Sequence, residues 1–303
     1  MIIVFGSINV DLTFRLPRLP VVGETVLTST FTQTVGGKGA NQAIAAARDG
    51  ARVRFIGCVG ADGYGETARD ALADVDIDVS GLQSLPRTTG LAAVWIDNEG
   101  RNQIAVASGA NEALKADVLF TQAITAETYL VLQMETPVGE VESAINYAKQ
   151  RNAKVILNLA PALPVSHTAL RRADVLVVNE HEAAVLTKNL QLPTGKPADQ
   201  VVALARDLET TVIITLGAEG AIGARGDKVW RVAALSVRAI DTTGAGDCFV
   251  GVFACALSRG ASIPIAMRRA AAAGSLACEI VGAMPSFPTR AQIDAALLGR
   301  ASS

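Results

Sequence analysis

Short apolar runs rich in β-branched residues recur along this chain with amphipathic or alanine-rich stretches between them, and that alternation admits few folds. Ile2 to Phe5, Val53 to Val59, Tyr129 to Gln133, Val155 to Leu159, Val175 to Val178 and Thr211 to Thr215 read as strands. Ala40 to Asp49, Gly65 to Ala73, Val138 to Gln150, Glu180 to Thr187 and Ala198 to Leu208 read as helices between them. Runs that are apolar on both faces and linked through helices predict a parallel sheet covered on both sides, an α/β architecture. With 303 residues, 50% of them hydrophobic, the chain can bury one large core, and residues 1–303 are expected to form a single domain.

Two regions break the alternation. Leu12 to Val35 and Thr89 to Val106 read as extended segments and turns without a helix, the second carrying Asn98-Glu99-Gly100 as a hairpin turn. They either pair into a small separate sheet or serve as edge strands of the main one. After Asp247 the pattern is helical, over Gly246 to Leu257, Ile263 to Val281 and Arg290 to Leu298.

Bulk charge narrows the partners. The formal net charge is -2 and no run of Lys or Arg exceeds two residues, so a nucleic-acid backbone has no electrostatic footprint to bind and a small molecule is the expected partner. Cys58, Cys248, Cys255 and Cys278 form no CxxC pair and lie in apolar stretches, which predicts four reduced thiols. No basic leader precedes Asp11, and the apolar stretch Ala270 to Ala277 falls short of the roughly 20 residues of a membrane span. A soluble, cytoplasmic protein is the expectation.

Two glycine-rich segments stand out. Asp241-Thr242-Thr243-Gly244-Ala245-Gly246-Asp247 precedes an apolar helical run. A glycine-rich helix start is an anion site, because its unpaired N–H groups and the helix dipole face the same point. An Asp there is stabilised as a carboxylate and can accept a hydroxyl proton while the N–H groups hold phosphate charge. The alternative is that Asp247 caps the helix and the glycines make a turn. Gly36-Gly37-Lys38-Gly39-Ala40-Asn41 leads into another helix, as a hinge with donors for sugar hydroxyls or as an ordinary loop with a solvated Lys. A P-loop is excluded because Gly39 follows Lys38 where Ser or Thr is required, and Gly6 to Asp11 lacks the GxGxxG spacing of a dinucleotide site. His167 and His181, the only histidines, neighbour no candidate nucleophile and read as surface residues.

Taken in order, eight segments resemble the ribokinase branch of the ribokinase and phosphofructokinase-B family of carbohydrate kinases: Gly6 to Asp11, Gly36 to Gln42, Gly60 to Glu66, Gln133 to Pro137, Asn158 to Ala162, Asn179 to Glu182, Thr215 to Gly220 and Asp241 to Asp247. The resemblance covers nearly the whole chain. It implies a doubly wound, mostly parallel sheet flanked by helices, with a small β-sheet lid formed by about residues 12–35 and 89–106 that also makes a homodimer contact. It implies a sugar kinase, with D-ribose preferred and deoxyribose, fructose-type sugars or nucleosides as alternatives.

By the same resemblance, Asn9, Asp11, Gly37, Lys38, Asn41 and Glu135 would line the sugar pocket, with Asp247 as base and Gly244, Ala245 and Gly246 as anion hole. Without it, Asn9 and Asp11 could satisfy loop backbone, Glu135 could cap the helix near Pro137, and Glu182 would be an ordinary helix-surface acid. Asn179, Glu182, Thr215, Gly217, Gly220 and Gly246 would border ATP and Mg2+. Asp241, Thr243, Ala277, Ile280, Gly282 and Ser286 would hold a monovalent cation, K+. Ala271 departs from the family in offering no polar side chain near adenine, and Trp95 falls in the lid, facing either the pocket or a partner lid. A non-catalytic sensor and a nicotinamide oxidoreductase are the competing classes, the first opposed by the intact Gly244 to Asp247 segment and the second by the missing fingerprint.

Overall fold

The computed structural model describes residues 1–299. The chain opens with β1 (Ile2–Phe5), β2 (Asn9–Arg15), β3 (Phe31–Gly36), α1 (Lys38–Arg48), β4 (Val53–Gly60), α2 (Gly63–Ala73), β5 (Asp78–Leu85), β6 (Gly90–Ile96) and β7 (Asn102–Ala107). It continues through β8 (Tyr129–Leu132), α3 (Val138–Gln150), β9 (Lys154–Asn158), α4 (His167–Arg172), β10 (Val175–Asn179), α5 (Glu180–Asn189), α6 (Pro197–Asp207) and β11 (Thr211–Thr215). It ends with β12 (Ala221–Arg225), β13 (Lys228–Val232), α7 (Ala245–Ser258), α8 (Ile263–Ala277), α9 (Ala283–Ser286) and α10 (Arg290–Gly299).

Nine strands form the main sheet in the order β13-β12-β11-β10-β9-β8-β1-β4-β5. All neighbours are parallel except β11 with β12 and β12 with β13. Because side chains alternate along a strand, each central strand feeds both faces. Ile2 and Val4 join a core with α1, α7 and α8, while Ile3 and Phe5 join the opposite core with α3 and α6. The expectation of a two-sided parallel sheet therefore holds, strand by strand.

The two strand-rich interruptions pair with each other in a separate four-stranded sheet, β3-β2-β6-β7. Register assigns its faces. Asp11 pairs with Thr34 and Ala92, whereas Phe14, three residues on, pairs with Phe31 and Trp95. Trp95 thus lies on the face opposite Asp11, beside the stacked rings of Phe14 and Phe31.

Helix α8 stops earlier than its composition predicts. The stretch expected to run to Val281 ends at Ala277, and Gly282, with φ 87°, starts the short α9. The Cys278 carbonyl, instead of continuing a helix, accepts from the N–H groups of Ile240 and Asp241. All four thiols are free, with Cys58, Cys248 and Cys255 buried. Among the described residues no helix is long and apolar enough to cross a membrane.

One crossing within this frame positions the site. Helix α7 presents Gly251, one turn beyond Asp247, to α1, and a Cβ there would stand 2.3 Å from the Gln42 carbonyl oxygen and 2.8 Å from the Ala45 Cβ. Gly251→Ala is expected to force the two helices apart and lower stability by about 1–3 kcal/mol, the usual range for overpacking. Urea unfolding measures it; an unchanged midpoint would mean that the crossing is loose.

Candidate active site

Chain order places the functional residues where the sheet reverses direction. From β1 the chain first adds β4 and β5 on one side, then returns to build β8 to β11 on the other. At such a switch point the loops after the strands part and leave a crevice at their carboxyl ends. Ser7 and Asn9 follow β1, Gln133 and Glu135 follow β8, and Asn158, Asn179 and Thr215 end β9, β10 and β11.

On one side of the crevice lie the residues predicted to hold a sugar. Asn9 is buried, and its Oδ1 accepts from Asn111 Nδ2 at 2.8 Å rather than from loop backbone. Asn111 is itself fixed to the Ile8 N–H and carbonyl. It was not among the predicted residues, and no spacing rule links it to Asn9 across 102 positions. Asp11 lies over Gly36, where a Cβ would come within 2.2 Å of its Oδ2, so a glycine at this position is what admits the carboxylate. Glu135 does not cap α3. Its Oε2 accepts from Ser7 Oγ at 2.7 Å and from the Lys38 N–H at 2.9 Å, so it caps α1 instead.

Asp247, in the first turn of α7, is not a helix cap either. Gly244, in the left-handed conformation, is the N-cap residue, and no side chain caps it. The Asp247 Oδ2 accepts from Asn41 Nδ2 and its Oδ1 from Gln42 Nε2, both at 3.0 Å. Burial pushes the Asp247 carboxyl above its ordinary range, against the pull of Lys38 and of the two amides, with Glu135 adding to the rise. The helix start does not make it an ordinary strong acid, as its position in the sequence implied; desolvation wins. Asn41 Oδ1 is buried without a partner, an acceptor that a ligand hydroxyl could satisfy.

The other side of the crevice is glycine-lined. A cavity of about 120 Å³ brings Lys38 together with Asn179, Glu182, Thr215, Gly244, Gly246 and Asp247. Lys38 thus stands with the phosphate-side residues as well as near the sugar side, its ammonium held above its usual range chiefly by Asp247 and, against burial, by Glu135 and Glu182. The Ala245 N–H closes a turn on the Thr242 carbonyl, whereas helix geometry leaves the N–H groups of Gly246 and Asp247 without intrahelical acceptors. Gly246 has open space where a Cβ would be.

Glu182 departs from its reading as a surface acid. It is buried and forms a reciprocal capping box with Asn179: its N–H donates to Asn179 Oδ1 and its Oε2 accepts from the Asn179 N–H. Burial raises its carboxyl above the ordinary value. His181, next to it, is exposed, and His167 sits at the surface against Asp207.

A larger cavity of about 470 Å³ adjoins this one, lined by Thr215, Gly217, Gly220 and Gly246 and walled by apolar groups including Ala271, Leu235 and Phe249. Ser275 lines it too, but its hydroxyl is engaged, accepting from the Leu235 N–H and donating to the Ala271 carbonyl. Below it, Asp241 Oδ1 accepts from the N–H and hydroxyl of Thr243, and Oδ2 from the Gly282 N–H. Burial alone would raise this carboxyl; the three donors outweigh it and hold it low. The two segments expected to hold a cation are thereby tied together, while Ser286 turns its hydroxyl to the Ala283 carbonyl.

Asp11 carries the clearest electrostatic stress. Burial, and then Glu135 and Asp247, push its carboxyl up to about 6. The folded chain therefore retains a proton that the unfolded chain has already lost, so stability falls as pH rises from about 4 to about 6. Asp11→Asn should match the parent near pH 4 and exceed it by about 1–3 kcal/mol at pH 8, read from denaturant unfolding at both values. A gap that does not open with pH would contradict this.

Comparison with known proteins places this architecture. The model of the pfkB family carbohydrate kinases matches residues 1–290. The chain is 38% identical over 291 residues to a ribokinase of Haemophilus influenzae, covering 95% of each chain. It is 32% identical over 304 residues to a deoxyribokinase of Salmonella typhimurium, covering 97% of each. Among solved structures, Arabidopsis thaliana ribokinase complexed with ribose and ATP superposes with a TM-score of 0.88 at 30% identity, over 98% of both chains.

Proposed function

The chain belongs to the pfkB family of carbohydrate kinases, and from that membership and the crevice geometry we propose that it is an ATP-dependent ribokinase, converting D-ribose to D-ribose 5-phosphate. The carrying observation is the Asp247 carboxylate, buried and clamped by Asn41 and Gln42 at the start of α7. It lies between the sugar-side residues and the glycine-lined cavity.

In this reading Asn9, Asp11, Asn41 and Glu135 receive the sugar hydroxyls. A site built from buried hydrogen-bonding groups rejects analogues that leave those groups unpaired. ATP lies along Thr215, Gly217 and Gly220, with adenine in the apolar cavity beside Ala271. The primary hydroxyl of ribose gives its proton to Asp247 and attacks the γ-phosphorus in line, and the bond from that phosphorus to the β,γ-bridging oxygen breaks to release ADP. The phosphoryl charge is held by Lys38 and by the N–H groups of Gly246 and Asp247. A carboxyl raised toward neutrality by burial is a better proton acceptor than an exposed one.

Asn179 and Glu182 suit Mg2+, which when bound neutralises charge on the phosphates and keeps most of its waters. Glu182 fits because its capping contact uses only Oε2. A monovalent cation, K+, suits the Asp241 loop, whose donor set would be one carboxylate with backbone and hydroxyl oxygens of Thr243, Ala277, Ile280, Gly282 and Ser286. Action in the cytoplasm accords with ATP as a substrate and a phosphorylated sugar as the product.

The second sheet serves as a lid over the sugar and as the contact with a second copy of the chain. Its strand β7 is exposed throughout, and Phe31, Ile104 and Val106 are each more than half exposed. Apolar side chains on a sheet with two open edges favour a partner. Sedimentation should find a dimer at micromolar concentration; a single 31.4 kDa species would rule this out.

The deciding assay is ADP release from Mg-ATP with ribose, deoxyribose or no sugar, with and without potassium. Ribose should support turnover best and potassium should raise it. Asp247→Asn should lower kcat by about 10²–10⁴-fold, as expected for losing a general base, with sugar affinity little changed. Near-normal turnover in that variant would refute the assignment of the base.

A further inference from the structure

Behind Asp247 lies a chain of buried amides that the proposed chemistry does not itself employ. Gln42 is fully buried, and both hydrogens of its amide are committed, one to Asp247 Oδ1 and one to Asn158 Oδ1, each at 3.0 Å. Its Oε1 accepts from Gln133 Nε2 at 2.8 Å. Asn158 in turn donates Nδ2 to the Val177 carbonyl at 3.1 Å.

We propose that Gln42 and Gln133 are positioning residues for phosphoryl transfer, a relay running from Gln133 through Gln42 that fixes the plane of the Asp247 carboxylate. The inference rests on Asp247 being the base. An ionised carboxylate only accepts hydrogen bonds, so Gln42 must turn its nitrogen toward Asp247. Its oxygen then faces Gln133, which must present its own nitrogen. At the other end the Val177 carbonyl, also only an acceptor, forces Asn158 to present oxygen to Gln42. Every amide in the chain has one permitted orientation, and none can flip without setting like ends against each other.

Packing and polarity do not account for this arrangement. Gln133 Oε1 is buried and has no hydrogen-bond partner. It occupies the place where Gly6 would carry a Cβ, only 1.8 Å from that position. An unsatisfied carbonyl in the core destabilises the fold, and an apolar side chain of the same length would remove that oxygen only by leaving Gln42 Oε1 unpaired instead. The amide at 133 is explained by what its nitrogen does for Gln42. Asn41, one residue before Gln42, holds the other carboxylate oxygen, so one turn of α1 grips Asp247 from both sides.

Gln133 touches Asp247 only through Gln42, which makes it the informative position. Gln42→Met should lower kcat about 10- to 100-fold while KM for ribose and ATP stays within about threefold, because the lost contact orients the base rather than a substrate. Removing a donor to the charged form should also move the acid limb of the kcat profile to higher pH. The other ionisable groups facing Asp247 are Lys38 on α1, Asp11 on β2, Glu135 after β8, Glu182 on α5 and Cys248 on α7. Their positions are untouched by either substitution.

Gln133→Met should reduce kcat in the same direction, at least about fivefold, with Tm within about 3 °C of the parent, since it exchanges one unpaired oxygen for another. The double variant should be no slower than Gln42→Met alone, the non-additivity expected of residues acting in series. Should Gln42→Met fail to fold, Gln133→Met carries the test by itself. A wild-type kcat and pH profile in Gln133→Met, or losses that multiply in the double variant, would overturn the relay. An inactive Asp247→Asn beside a fully active Gln133→Met would sink the relay and spare the base. An active Asp247→Asn would sink both.

Discussion

The contact between α1 and α7 is the constraint on which the site depends. Gly251 lets the α7 backbone approach the Gln42 carbonyl, and that approach brings Asn41 and Gln42 within hydrogen-bonding distance of Asp247, more than 200 residues away in sequence. Helix α1 is in turn fixed at its start by Glu135, which accepts the Lys38 N–H, and at its end by Asp49. Asp49 is fully buried and ion-paired to Arg269 of α8. A charge-assisted contact at each end leaves little freedom for the helix to slide, since breaking a buried pair strands a charge. The geometry around the carboxylate is therefore set by helix packing and by strand ends, not by the glycine-rich turn alone.

Topology explains why these residues converge. Strands β1 and β8 are neighbours in space, yet the chain builds β4 and β5 before returning to β8. The segments leaving β1 and β8 diverge, and the crevice between them receives Ser7, Asn9 and Glu135 from opposite directions. The second sheet grows out of the same place. Strand β2 begins at Asn9, and β3 ends at Gly36 against the start of α1. Through Gly36 and Gly37 that sheet continues directly into α1, whose first turns hold Asn41 and Gln42 against Asp247. Gly37, with φ 89°, is the joint. The chain path thus joins the second sheet to the helix that holds Asp247.

Much of this was legible in the sequence for an identifiable reason. Central strands are apolar on both faces, so β1, β4, β8, β9, β10 and β11 announce themselves as runs. Strand β5, with Ser80, Gln83 and Ser84 along a sheet edge, has no such run and escaped notice. The β12 and β13 hairpin escaped for the same reason at the other edge. Helix α8 was drawn too long because Cys278 to Val281 is as apolar as the helix before it; its end is set by distant donors from Ile240 and Asp241. The glycine-rich segments carry Lys38, Asn41 and Asp247, but their spacing left each segment open; the family resemblance joined them, and the structure brings the three side by side. Periodicity offered no sign of Asn111, Gln133 or Asn158, because their partners are fixed by tertiary contacts across 91 to 116 residues.

The electrostatics of the crevice bear on how it acts. Asp247, Glu135 and Glu182 place three carboxyls around Lys38, and burial raises Asp247, Glu182 and, beside them, Asp11 above their ordinary range. Such a site is poor at holding its own charges until something supplies hydrogen-bond donors. A polyol, as proposed for the substrate, would do so without adding charge, donating to Asp11 while Asp247 keeps the amides of Asn41 and Gln42. In the proposed reading the nucleotide phosphates enter beside Lys38 and the α7 N–H groups, where their charge is welcome. The two faces of one carboxylate thus meet opposite demands. In the proposed reaction one accepts a proton from a neutral donor and the other meets an approaching polyanion, with Lys38 close to the same carboxylate.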